Sequence, residues 1–316
     1  MPVDSSINHV REAALPEPRE FGAEWLVEAV GVAEVHAHRV QNVVAEMSLG
    51  LARVSVLETA YGRVLLKNGR LQSTQNDEWV YHEALIHPAM IAHAAPKSVL
   101  CIGGTTGAII REVLRHKTVE EVLVFWVDRQ ILDALDGKLP YAERAVFSDP
   151  RVKGLYSSPL DDATLGGKKF DVVIADPPEP SESGAPEKDV YQHVVKSAAK
   201  CLAKDGILAI AGGGVQPVAE SISTLREAFT VAQLHFPKVG LGIASAPSLG
   251  IPWGMLFCSH GLNVASMDAT LVNERLDGRK VSGLRFYDGE THLSMFSTPK
   301  HVRAWLAADK TGQVKE

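Results

Sequence analysis

The chain has 316 residues, 46% of them hydrophobic and 22% charged, with a formal net charge of −6; this is ordinary globular composition, enough for one large domain or a main domain with a satellite. Its basic residues are dispersed instead of forming the stripe that phosphate-backbone binding requires, which argues against nucleic acid as a partner. Cys101, Cys201 and Cys258 are an odd number at wide spacing within apolar stretches, so reduced, buried thiols are predicted, with neither a disulfide framework nor a metal site.

Residues 1–22 are polar, hold Pro16 and Pro18, and read as an arm that orders against a partner or its own domain. They lack the apolar core of a secretory signal and carry too many acids for a typical transit peptide. No apolar run reaches the roughly 18 to 20 residues of a membrane span. The expectation is a cytoplasmic protein, or one of an organelle matrix if a presequence was removed, and not a secreted one.

From about Val27 to Leu71 the pattern is β: AEVHAHRVQNVVAEM, ARVSVLETAYG, then RVLLKNGRLQ with Asn68-Gly69 as a tight hairpin turn. NDEWVYHEALIHPAMIAHA, residues 76 to 94, places apolar residues at three-to-four spacing and predicts a helix capped by Asn76 or Asp77. After Pro96 strands and helices alternate: SVLCIGG, TGAIIREVLRH, VEEVLVFWVD, FDVVIADPPEP and GILAIAGGG. Such alternation predicts an α/β fold, with a mostly parallel sheet covered by helices on both faces and ligands received at the carboxyl ends of its strands. The expected organisation is an arm (1–22), an N-terminal β-hairpin domain with a linking helix (23–92), a Rossmann-like domain (93–307) and a polar tail (308–316).

Two strand ends carry chemistry. CIGGTTGAIIREVL is a loop of the nucleotide-binding kind, since glycines let the backbone approach a ligand closely. Thr105 replaces a usual close-approach glycine there and Ala108 the last one, and a tight turn with no ligand is the bland alternative. ADPPEP places Asp176 and Glu179 at a strand end, with Pro177 and Pro178 fixing a rigid exit. A carboxylate held beside an attacking amine can take its proton. Asp-Pro-Pro also occurs in methyltransferases acting on amino nitrogens, but an aromatic residue normally follows there. His36, His38, His82 and His87 lack a cluster at ligand spacing, so no metal is expected.

Taken together, the segments from about Gln41 to Leu306 resemble the spermidine synthase family, the polyamine aminopropyltransferases. AYGRVLLKNGRLQSTQNDEWVYHEALIHPAM resembles the family's YGxxLxLDGxxQ hairpin and DEFxYHE helix, CIGGTTGAIIREVLRH its IGGGDGGxxREVLKH, and ADPPEP its TDSSDP. PSLGIPWGMLFCS resembles its PxYPxGxxGFxLxS stretch, and LRFYDGETHLSMFSTPKHVRAWL its ending. The resemblance implies a Rossmann-like methyltransferase-type fold with a small N-terminal antiparallel β domain, and dimers or tetramers. In active members decarboxylated S-adenosylmethionine donates an aminopropyl group to putrescine.

By the same resemblance Asp176 and Tyr81 are the catalytic pair, and Gly103, Gly104, Gly107, Asp128 and Gln41 line the donor site. Gln72 and Glu179 would bind the acceptor. The donor site departs from the pattern at three places: Thr106 stands at the aspartate of GGGDGG, Trp126 at a ribose-binding glutamate, and Ser158 at an adenine-binding aspartate. Leu249 replaces a tyrosine near the polyamine channel. Loss of three charge-assisted contacts, each commonly worth about 1.5 to 3 kcal/mol, predicts weak donor binding. The sequence therefore predicts a non-catalytic structural or regulatory subunit in a homo- or hetero-oligomer with protein partners and no cofactor. The alternative is an active aminopropyltransferase with altered substrates, using decarboxylated S-adenosylmethionine as co-substrate.

Overall fold

A computed structural model describes residues 25–31, 34–50, 52–155, 165–177, 187–215 and 222–307. Strands β1 (Trp25–Gly31) and β2 (Glu34–Arg39) form an antiparallel pair. Strands β3 (Asn42–Leu49), β4 (Ala52–Thr59), β5 (Gly62–Lys67) and β6 (Arg70–Thr74) form a four-stranded antiparallel sheet in that order. The run read as one β stretch across 33–47 thus divides between two sheets. The Gln41 N–H donates to the Glu58 carbonyl at 2.7 Å, so pairing with β4 begins there, after β2 has spent its own bonds on β1. The hairpin turn forms as its sequence requires: Asn68 and Gly69 take φ of 52° and 78°, the left-handed pair of a type I′ turn.

Helix α1 (Glu78–Ala92) then leads into a seven-stranded sheet built of β7 (Ser98–Ile102), β8 (Glu121–Phe125), β9 (Val152–Leu155), β10 (Phe170–Ala175), β11 (Leu202–Gly214), β12 (Lys238–Ala244) and β13 (Trp253–Ser259). The strand order is β12-β13-β11-β10-β7-β8-β9, parallel from β9 to β11 and antiparallel at β12 and β13. Its other helices are α2 (Ala108–Leu114), α3 (Arg129–Ala134), α4 (Glu187–Cys201), α5 (Ile222–His235), α6 (Ala269–Gly278), α7 (Gly289–Phe296) and α8 (Lys300–Ala307). This is a Rossmann-like α/β sheet preceded by small antiparallel sheets.

The period-two geometry of a strand explains why the central strands are apolar on both faces beyond their first residues, where Ser98, Glu121 and Asp171 stand. Val99, Val122, Val172 and Ile207 face a core closed by α1, α2, α6 and α7. Their neighbours Leu100, Leu123, Val173 and Leu208 face a second core closed by α4, α5 and α8. All three cysteines are buried and none is in a disulfide, and burial pushes the thiols of Cys101 and Cys258 up. Among the described residues no helix is long and apolar enough to cross a membrane.

Helix α1 is buried on nearly every side, yet it carries Glu78, Tyr81, His82, Glu83 and His87. Buried polar groups must be paired where they lie. Glu83 accepts the backbone N–H groups of Arg285, Phe286 and Tyr287 at 2.8 to 3.1 Å, which pins the segment before α7. The His87 ring lies 3.2 Å from the Glu112 carboxylate through Nε2 and 3.0 Å from His116 through Nδ1. Burial would raise the pKa of Glu112, but the hydrogen bond from His87 and the charge of Arg111 outweigh it and hold it down at about 2.

A carboxylate with a depressed folded-state pKa stabilises fully above its ordinary value and loses that contribution as pH falls through the folded value. The stability due to Glu112 is therefore present above 4.5 and lost on descent towards about 2. Glu112→Gln is expected to flatten part of the fall in melting temperature over that window. At neutral pH it should cost about 3 to 5 kcal/mol, read from urea midpoints, because it strips the charge from a buried cluster.

Candidate active site

The strand order reverses between β7 and β10, the position at which an open α/β sheet leaves a crevice beyond its strand ends. Gly103, Gly104 and Gly107 turn the chain there with φ of 91°, 86° and 84°, values that side-chain-bearing residues rarely adopt. At Gly103 the need for glycine is doubled, because a Cβ would stand 2.2 Å from the Asp176 carbonyl oxygen. Three strand ends are laced together there: Asp176 N–H donates to Ile102 O, joining β10 to β7, and Gly103 N–H to Phe125 O, joining β7 to β8, both at 2.9 Å. This close approach sets the Asp176 carboxyl beside the glycine turn.

A cavity of about 520 Å³ opens over that turn and runs to the β5–β6 hairpin. Tyr81, from α1, donates its hydroxyl to Asp176 Oδ1 at 2.7 Å, so two of the expected site residues meet although 95 positions separate them. Next to them Glu78 accepts from Arg111 Nη2 at 2.9 Å and contacts His82 Nδ1 at 2.7 Å. Burial disfavours both charges, but the hydrogen bonds from His82 and Arg111 hold the Glu78 carboxyl below its ordinary value. Burial likewise opposes charge on His82, and the Glu78 carboxylate outweighs it and raises that pKa. Asp77 heads α1 without capping it; it accepts from Ser248 N and Oγ at 2.8 Å and from the Thr74 hydroxyl. That carboxylate ties the start of α1 to the 247–249 turn, whose Ser248 and Leu249 also face the cavity.

The remaining expected residues divide. Gly103, Gly104, Thr106, Trp126, Gln72 and Leu249 line the cavity, whereas Gly107 begins α2 behind it. Asp128 lies off the cavity wall: it caps α3, accepting from Gln130 N at 2.9 Å and Ile131 N at 3.2 Å. Strand alternation, which would have put it on the face of Trp126, ends at Phe125, and Trp126 takes a left-handed φ of 56°. Gln41 is exposed and also off the wall. Ser158 and Glu179 lie outside the described residues.

Trp126 forms part of the wall without closing the space. Its indole packs on the α4 side, nearly parallel to the His193 ring at 6.4 Å between centroids. Sequence reading passed over Lys67, Arg70, Glu78 and His82 as wall residues. Glu78 and His82 left a sequence signal in their i, i+4 spacing on a helix, and Lys67 and Arg70 in the two-residue hairpin turn between them. Among the described residues no cluster of three or more His, Cys, Asp or Glu side chains is arranged to hold a metal ion.

Glycine turn, strand-end carboxylate and sheet reversal define a Rossmann-like α/β protein with its site at the switch point. Residues 78–261 match the family profile described as the spermine/spermidine synthase domain. The polyamine aminopropyltransferase of Sulfurisphaera tokodaii is 32% identical over 293 residues, covering 92% of this chain and 96% of the relative. That of a Synechococcus strain is 30% identical over 309 residues, covering 93% and 96%. The crystal structure of spermidine synthase from Thermotoga maritima superposes with a TM-score of 0.76 at 25% identity, over 92% of this chain and 96% of that one. A spermidine synthase in complex with the transition-state analogue AdoDATO gives 0.77 at the same identity and coverage. The chain belongs to the spermine/spermidine synthase family.

Gly103→Ala tests the close approach on which the site is built. The variant must move the Asp176 backbone and hold alanine at positive φ, so it is expected to lose about 1 to 3 kcal/mol in thermal or urea unfolding. Gly69→Ala, where a Cβ meets nothing within 4 Å, carries only the backbone part of that cost and should lose less.

Proposed function

We propose that this chain is a polyamine aminopropyltransferase with altered handling of its donor or acceptor. The observation that carries the reading is the Tyr81–Asp176 hydrogen bond, 2.7 Å long, set over a glycine turn in an open cavity. The names of the relatives support it. In such a transfer the acceptor amine attacks the methylene carbon beside the sulfonium of decarboxylated S-adenosylmethionine. The N–C bond forms as the C–S bond breaks, methylthioadenosine leaves as a neutral thioether, and the amine's proton passes to Asp176. Tyr81 orients that carboxylate, and the ion-paired Glu78 and His82 hold the surrounding wall rigid.

Fit to the donor is uneven. The glycine turn leaves room for a nucleoside, while Thr106 and Trp126 supply no carboxylate for its ammonium or its ribose. A hydroxyl in place of a charged partner commonly costs about 1.5 to 3 kcal/mol of binding. These two residues also favour a second reading, in which the chain is a non-catalytic structural or regulatory subunit of a larger assembly.

Purified protein supplied with decarboxylated S-adenosylmethionine and putrescine separates the two through release of methylthioadenosine. Turnover that falls about 10²- to 10⁴-fold in Asp176→Asn, with the fold intact, is the outcome expected of the catalytic reading. No thioether release from any sulfonium nucleoside and amine pair would leave the subunit reading.

A further inference from the structure

Trp126 stands where the family motif has a ribose-binding glutamate, and the sheet determines which part of a ligand it meets; the inference rests on the transfer reading above. Strands β10, β7 and β8 lie side by side and parallel, with Ala175 opposite Ile102 and Ile102 opposite Phe125. The residues that leave these strands, Asp176, Gly103 and Trp126, therefore form a row across three strand ends, and all three line the cavity. Neighbouring strands lie about 4.8 Å apart, which sets the backbone at Trp126 roughly 10 Å from that at Asp176, with the glycine turn between them. A sulfonium nucleoside that places its reacting carbon at Asp176 and lies over the glycines extends its sugar and base toward β8. Its length from sulfur to base is of the same order as the row, so the planar base comes to Trp126.

An indole at that place offers no acceptor for sugar hydroxyls, but it has a broad π-face on which a purine stacks. Loss of one charge-assisted contact weakens binding by about 10- to 150-fold, and one stacked base strengthens it by about 5- to 150-fold. The exchange is close to neutral at this position. A cation over the ring would be the other use of its π-face, but the row puts the sulfonium at the opposite end, near Asp176.

Two observations set this indole apart from one that fills the core. Its backbone is left-handed, with φ of 56°, a conformation that bulky residues rarely adopt and that clusters at ligand sites. The side chain is half-buried, packed against the second core on the α4 side and nearly parallel to His193, with 21° between the planes. Its orientation is thus fixed before a ligand arrives, which lowers the cost of binding.

We propose that Trp126 determines specificity for a purine nucleoside in this cavity, the donor being recognised there through its base, stacked on the indole, instead of through its ribose. No bond is made or broken at Trp126. It acts on donor affinity and leaves the chemical step to Tyr81 and Asp176, so substitutions there raise the donor KM and leave kcat nearly unchanged.

The full chain is titrated with methylthioadenosine, the nucleoside that leaves in the transfer, by calorimetry and by indole fluorescence. Binding is expected to quench emission, and most of the quench to be lost in Trp126→Phe, although Trp25, Trp79, Trp253 and Trp305 remain. A phenyl ring keeps a smaller π-face, so Trp126→Phe should bind within about fivefold of the parent chain. Trp126→Leu removes the face and should weaken methylthioadenosine by about 5- to 150-fold, with melting curves checking that both variants fold. Should Trp126→Leu not fold, the quench in Trp126→Phe decides alone.

Unchanged affinity in Trp126→Leu, equal losses in the two variants, a quench that survives in Trp126→Phe, or no binding of methylthioadenosine to the parent chain overturns the inference. Turnover of decarboxylated S-adenosylmethionine with putrescine is scored separately. Thioether release with an unchanged donor KM in Trp126→Leu sinks this inference and leaves the transfer reading standing. Ring-dependent nucleoside binding without turnover of any sulfonium nucleoside and amine pair does the reverse.

Discussion

The structure depends on how helix α1 settles its buried polar groups. A helix enclosed on nearly all sides is ordinarily apolar all round, but this one carries two carboxylates, two imidazoles and a phenol into the interior. Each must find a partner, since an uncompensated buried charge costs several kcal/mol. The partners come from distant parts of the chain: Arg111 from α2, Asp176 from the end of β10, Glu112 and His116 from the α2 region, and the backbone of 285–287 before α7. Satisfying α1 therefore positions α2, the end of β10 and the C-terminal helices together. Tyr81 gains its place by the same means, on the turn between Glu78 and His82 and in hydrogen-bond contact with Asp176.

The site itself combines a close approach with a strained residue. Glycine at 103 lets two strand ends meet at a distance no side chain would permit, and this brings the Asp176 carboxylate to the cavity floor. Trp126 follows immediately after β8 with a left-handed backbone, which is rare for a bulky residue and costs of order 1 to 3 kcal/mol. Such strain persists where the surroundings over-determine it. Here the indole is held between the α4 side of the sheet and the cavity. It occupies the wall position nearest the second strand end, so it shapes whatever ligand lies over the glycine turn.

Much of this was legible in the amino-acid order, for identifiable reasons. Strands buried on both faces must be apolar on both, so the apolar runs VLCI, VLVF and VVIA announced a parallel sheet, and Asn68-Gly69 announced its hairpin. Tyr81 and Asp176 were legible through the motifs that carry the family resemblance. What escaped depended on a single backbone angle or on long-range pairing. The left-handed turn at Trp126 ends the alternation that would have aimed Asp128 into the cavity, and no local pattern signals it. The Asp77–Ser248 contact spans 171 positions, and a capping motif suggests a local role for Asp77 that its side chain does not play. Lys67 and Arg70 sat in a segment read for its turn and for Gln72, although the register of a two-residue hairpin already puts them on one face.

The described wall of the cavity holds charges of both signs: Glu28, Asp77, Glu78 and Asp176 are acidic, and Lys67 and Arg70 stand at the hairpin end. The two signs act on different halves of an amine's course. A carboxylate favours the arriving ammonium, whereas a cation near a seated amine favours its neutral form and so eases loss of the proton that must precede attack. Under the transfer proposed above, the Tyr81–Asp176 pair lies among the acidic groups of α1 and the end of β10, so arrival and deprotonation fall at one place.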